Sequence, residues 1–286
     1  MLTATLDHIV HLTPPGSLQE TAEQFRKLGF NVVDGGVHAD GLTENSLVIL
    51  RDEVYLELIS FTKPPEAYPP SSPSRRERES HKWASKSPGW IDYAFLGNGS
   101  LTPGGRISDA INGRAKDDDM DPLYLDEVPG GRTRADGEVL KWVITAPTKR
   151  NSILPFFCGD LTNRSRRVPT RPASNLDHPC GARGIAHIRL VTAEAEFAGV
   201  QREISVVIGE PPISSTSTET KWHLSTLNGP RPPTLILSTP SNQEQYDFVS
   251  RNDSIPGIYE VGFWVGEDNG EGTVSTPFGK IVWIIE

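Results

Sequence analysis

Between Leu6 and Phe61 the apolar pattern changes period twice, and the change predicts strand, helix, strand, strand, strand. The runs LDHIVHLT, GFNVVDGGVH, ENSLVIL and VYLELISF are short and β-branched or alternating, as strands are. In SLQETAEQFRKLGF, Leu18, Ala22, Phe25 and Leu28 recur on one helical face. Ser17 with Glu20 three residues on predicts a capping box. Gly29 stands where a helix end wants a left-handed residue.

The same order returns from residue 88. PGWIDYAFLG reads as a strand, TPGGRISDAINGRA as a helix and GGRTRADGEV as a hairpin turning at Asp136-Gly137. LKWVITAP and ILPFFCGD read as strands. A third unit starts with the strand GIAHIRLVT and the helix AEAEFAGVQREISVVIG, followed by KWHLSTL, TLILSTP, a short helix QEQYDFVSRND, IYEVGFWV and FGKIVWII. The expected division is therefore 1–62, a linker or flap at 63–87, 88–161, a linker at 162–180, and 181–286. Proline, serine and charge in KPPEAYPPSSPSRRERES, residues 63–80, predict an irregular excursion, of the kind that often covers a pocket. Arg164, Arg166, Arg167 and Arg171 in the second linker, with Arg183 just after it, read as a solvated connector rather than an anion site. The fold class is α+β.

Composition narrows the function. The 286 residues are 36% apolar and 23% charged, enough for a real core. A net charge of −9 and a pI near 5.3 argue against nucleic acid and against an anionic membrane surface. No apolar run approaches the roughly 18 residues of a membrane span. The N-terminus carries no basic-then-apolar signal, so a cytoplasmic protein acting on a small molecule is expected. Cys158 and Cys180 are expected as thiols. Dinucleotide, phosphate-loop, serine-elbow and zinc motifs are missing, so any chemistry must be assembled from distant positions.

His8 and His11 share the first strand on opposite faces. Glu57 sits among apolar neighbours on the last strand of the same unit, where a buried carboxylate needs a partner or a metal. His38, Thr43 and Asn45 follow a glycine pair that permits close approach to a ligand. Arg132, Arg134 and Trp142 lie on the second unit's strands, and a guanidinium pair suits a carboxylate. His187 and Glu260 echo the first pair in the third unit. His178 and Cys180 are too close in sequence to work as a catalytic pair.

LDHIVH, LGFNVVDGGVHADGLTEN and YLELISF, continued by GRTRADGEVLKWVITAP and LPFFCGD, resemble the glyoxalase-like branch of the vicinal oxygen chelate superfamily. The resemblance implies repeated βαβββ modules forming an open, cupped mixed sheet with helices outside. It also implies metal ligands on the first and last strands of each module. His8 and Glu57 match those positions in the first module. In the second, Asp92 falls near the first-strand position and LPFFCGD offers no Glu. His187 and Glu260 from the third unit, or His38, are the candidates to complete the site. The expected activity is isomerase, lyase, ring-opening or hydrolytic chemistry on an oxygen-rich small substrate. A divalent metal (Zn, Fe, Mn or Ni) would serve as Lewis acid, with Glu57 or His38 moving the proton. The alternative is a metal-free binding or sequestering protein whose pocket is lined by Arg132, Arg134, Trp83, Trp90 and Trp142. Sheet edges left by an odd module make a homodimer the expected assembly.

Overall fold

The computed structural model describes residues 2–134, 136–229, 231–251, 255–276 and 279–286. The first unit runs β1 (Leu6–Thr13), α1 (Leu18–Lys27), β2 (Val33–His38), β3 (Thr43–Ile49) and β4 (Tyr55–Phe61). Gly29 follows α1 at φ +88°, as expected. The capping box does not form: Ser17 Oγ donates to the Pro14 carbonyl at 2.8 Å instead.

The excursion after β4 is more ordered than its composition predicts. Besides a 3-10 turn at Pro65–Ala67 it holds α2 (Pro73–Ser80), with proline in the first turn and the Ser72 hydroxyl accepting the Arg75 N–H at 3.1 Å. Arg78 anchors this helix by stacking 3.3 Å over the Phe61 ring. The second unit is β5 (Gly89–Leu96), α3 (Ile107–Asp117), β6 (Val128–Thr133), β7 (Val139–Thr145) and β8 (Phe156–Asp160).

β1 pairs with β4 in parallel, and β3 and β2 follow outward; β5, β8, β7 and β6 repeat that order. Antiparallel β1–β5 and β2–β6 contacts join the halves, so the curled sheet closes into an eight-stranded barrel. Its interior is apolar at one end, around Val10, Leu12, Ile59, Phe61, Leu140 and Phe156.

After the short helix α4 (Arg164–Arg167) come β9 (Ala182–Val191), α5 (Glu194–Ile208), β10 (Ser214–Ser215), β11 (Glu219–His223), β12 (Thr234–Ser238), α6 (Gln243–Arg251), β13 (Gly257–Val265), β14 (Gly272–Ser275) and β15 (Lys280–Ile285). Residues 252 and 253, at the end of the helix predicted over QEQYDFVSRND, lie outside the described residues, as does Phe278 before β15. β9–β12–β11–β10 has the strand order of the first unit, and β13–β15–β14 is the same order shortened by one strand. These seven strands form an open sheet. Its apolar face packs on the barrel's outer surface, and Leu6, Ile9, Phe25, Tyr93, Ile185, Ile188, Val261 and Phe263 share one core. No described helix is long and apolar enough to cross a membrane.

Candidate active site

The barrel encloses a cavity of about 280 Å³. Strand alternation brings His8 from β1, Thr43 and Asn45 from β3, Tyr55 and Glu57 from β4, Arg132 from β6 and Trp142 from β7 to its wall. His38, at the end of β2, and His81, Lys82 and Trp83, after α2, line it too, so the 63–87 segment forms part of the cavity wall.

Two glycine pairs in matching places shape the wall. A Cβ at Gly35 would lie 2.0 Å from Asn45 Oδ1, and one at Gly130 would lie 2.5 Å from Trp142 Nε1. Glycine therefore lets both side chains lie flat across neighbouring strands. What approaches Gly35 so closely is the Asn45 side chain. From there Asn45 donates to Glu57 Oε1 at 2.6 Å and accepts the Gly36 N–H at 3.1 Å.

Glu57 lies between two imidazoles, with Oε2 3.7 Å from His8 Nε2 and Oε1 3.6 Å from His38 Nε2. Burial would raise its carboxyl. The facing histidines, the Asn45 bond and the Arg132 charge outweigh that and hold it below the usual carboxylate value. His38 is pushed down by burial and shares a 2.7 Å bond with the Thr43 hydroxyl.

His8 is fixed on its other side. Its pairing with β5 shifts register between Leu6 and His8, and such a bulge re-aims side chains. Asp7 thereby turns beside its neighbour, and His8 Nδ1 lies 2.7 Å from Asp7 Oδ2. Burial opposes ionisation of Asp7, but Arg167 and Arg164 hold its carboxyl well below the usual range. An ionised carboxylate only accepts, so His8 Nδ1 must donate, and the Nε2 lone pair faces the cavity. Stacking on Tyr55 at 4.6 Å and an edge contact with Phe156 at 5.2 Å fix the ring plane.

The connector reading of the second linker is corrected at two of its arginines. Arg167 donates to Asp7 Oδ2 at 3.0 Å, to the Tyr55 hydroxyl at 2.8 Å and to both oxygens of Asp160 at 2.6 and 2.8 Å; Arg164 also pairs with Asp7. The carboxylates inside explain why Arg167 is buried and Arg164 half-buried, and Asp7 looked like an ordinary strand residue.

Other candidates fall elsewhere. Arg134 pairs with Asp136 and Glu138 on its hairpin, and Trp90 points outward to donate to the Lys280 carbonyl, so neither lines the cavity. His178 is structural: it takes the Asn31 N–H at 3.0 Å and meets the Ile49 carbonyl at 2.9 Å. His187 and Glu260 do meet, at 3.2 Å, but on β9 and β13 of the open sheet, where Arg189 also binds Glu260. The structure therefore does not bring them to His8 and Glu57.

β8 presents Phe156 and Cys158 to the cavity, and Ala94 is the β5 partner of Phe156. Burial pushes the Cys158 thiol up to about 12, so it stays protonated. Asp92 is taken by Trp83 Nε1 at 2.8 Å and Lys82 Nζ at 3.2 Å. Glu57 offers its two oxygens to two separate histidines, and no group of three or more His, Cys, Asp or Glu among the described residues could hold a metal ion. The residues present do not fit the four-ligand site that the resemblance implied.

Comparison with known proteins agrees with the fold. A hypothetical protein from Staphylococcus aureus is similar over 99% of both chains, with a TM-score of 0.66 and 9% identity. A mutant of 4-hydroxymandelate synthase from Streptomyces coelicolor is similar over 97% of this chain and 78% of its own, with a TM-score of 0.51 and 15% identity. At such identities the likeness is one of fold. No curated protein matches the sequence. The glyoxalase-like domain family matches residues 6–202, well over half of the chain. The chain belongs to the glyoxalase-like domain family.

Proposed function

We propose that the protein is a small-molecule enzyme that transfers protons in the barrel cavity, with His8 as general base. The observation that carries this reading is the buried Asp7–His8 pair, whose second nitrogen faces the cavity. A substrate C–H beside a carbonyl, or a water molecule, gives its proton to Nε2. The imidazolium that forms then lies between two carboxylates, with Asp7 2.7 Å from Nδ1 and Glu57 3.7 Å from Nε2. Isomerisation, lyase chemistry and hydrolysis all use such a step. Tyr55 stays a neutral phenol, since burial pushes it well above its ordinary value. A sequestering protein would gain nothing from an imidazole oriented in this way.

Exchange of acidic C–H for C–D in D2O tests this without knowledge of the natural substrate. With phenylpyruvate as probe, the wild-type protein accelerates exchange, and His8→Ala lowers the rate by about 10²–10⁴-fold. Chelator leaves the rate unchanged, because no step runs through a metal. Exchange that survives His8→Ala, or that vanishes with chelator, contradicts the proposal.

A further inference from the structure

We infer that the cavity takes a small planar carboxylate, with Arg132 as its counter-charge. The inference rests on the cavity being the substrate site. Among the cationic side chains that line it, Arg167 is neutralised by Asp7 and Asp160, and Lys82 by Asp92. Arg132 is different. It is 4% exposed, yet no carboxylate among the described residues lies within ion-pair distance. Its bonds go to two neutral oxygens, Asn45 Oδ1 at 3.4 Å and the Arg167 carbonyl at 3.3 Å, both long. Asn45 spans Arg132 and Glu57, its amide nitrogen on the carboxylate and its oxygen on the guanidinium, so the two charges are kept apart.

A buried guanidinium without a paired anion is costly. Arg132 lines the cavity, and the planar donor fork of a guanidinium matches a carboxylate in two parallel bonds. A phosphate dianion would find one unpaired cation and no helix N-terminus among the described residues, since the lining comes from strands, the turn residues Ala39 and Asp40, the 81–83 connector and the last residue of α4. Trp142, Trp83 and Phe156 supply flat apolar walls, and the cavity volume of about 280 Å³ suits a ligand of about one ring.

Calorimetric titration with benzoate, its neutral analogue benzamide, and phenyl phosphate tests the inference. Benzoate should bind at least about tenfold more tightly than benzamide, the worth of a charge-assisted bond pair. Arg132→Gln should erase that preference, Arg132→Lys should restore part of it, and Arg134→Gln should leave it intact. Thermal unfolding of each variant checks the fold; if Arg132→Gln does not fold, the wild-type comparison and Arg132→Lys decide. Equal affinity for benzoate and benzamide, a preference that persists without Arg132, or tightest binding of phenyl phosphate overturns the inference. Binding needs no turnover, so a benzoate preference without proton exchange would overturn only the proposed function. Exchange without a benzoate preference would overturn only the carboxylate.

Discussion

Asp7 and His8 are adjacent in sequence, and on a regular strand their side chains would point apart. The bulge that turns them together makes the carboxylate the more consequential of the two for stability, because it also receives Arg164 and Arg167. Asp7→Asn removes one of the two carboxylates that neutralise the buried Arg167 guanidinium, Asp160 being the other, and should lower the unfolding free energy by about 1–3 kcal/mol in urea titration. His11, on the opposite face of the strand, behaves differently. Fully buried between Phe25 and Trp90, it is pushed down to about 3 by desolvation. The unfolded chain binds this proton below pH 6.5 and the folded chain refuses it until about pH 3. Stability contributed above pH 6.5 is therefore lost as the pH falls through that window, at about 1.4 kcal/mol per pH unit. Urea titrations at pH 7 and pH 5 should show a loss about 2 kcal/mol smaller in His11→Gln than in wild type. His8, Glu57 and His38 were legible because each is a polar residue on an otherwise apolar strand or beside a glycine pair. Asp7 was not, since nothing local announces a bulge. Arg167 was not, since a basic stretch containing proline looks solvated until its distant acids are placed.

At the scale of elements, the repeated V-x-G-G of β2 and β6 is the signal that sequence reading undervalued. Gly35→Ala places a methyl 2.0 Å from Asn45 Oδ1 and 2.5 Å from its carbonyl oxygen, so β2 or Asn45 must move. The expected cost is about 1–3 kcal/mol in unfolding free energy, together with weaker benzoate binding as Asn45 swings from Glu57 and Arg132. Gly113→Ala, in the middle of α3 with nothing within 4 Å, should instead stabilise by about 0.5–1 kcal/mol. Thermal unfolding of the pair separates packing from helix propensity. The helix α2 was hidden because it has no apolar face. Its only local marks are Ser72 and Pro73 at the start, which read equally well as a turn.

For the whole molecule, the order of elements in each unit was legible from periodicity, and the pairing of sequence neighbours followed. Closure of the barrel was not, because β2 and β6 meet through only Val37↔Thr133 and His38↔Arg132. The likeness between His8–Glu57 and His187–Glu260 was real as a pattern. The strands place the two pairs on separate sheets. His187→Ala and Glu260→Ala should accordingly leave phenylpyruvate exchange within about twofold of wild type, while His8→Ala lowers it by about 10²–10⁴-fold.

The central claim is that His8 presents a lone pair to the cavity because Asp7 holds its other nitrogen. Long-range ¹H–¹⁵N correlation NMR of the histidine rings at pH 8 reads this without any substrate. The account predicts that the His8 proton shared with Asp7 sits on Nδ1 and that Nε2 carries the lone pair, with a change in that pattern in Asp7→Asn. A His8 carrying its proton on Nε2 would contradict it, because the group facing the cavity would then be a donor and not a base.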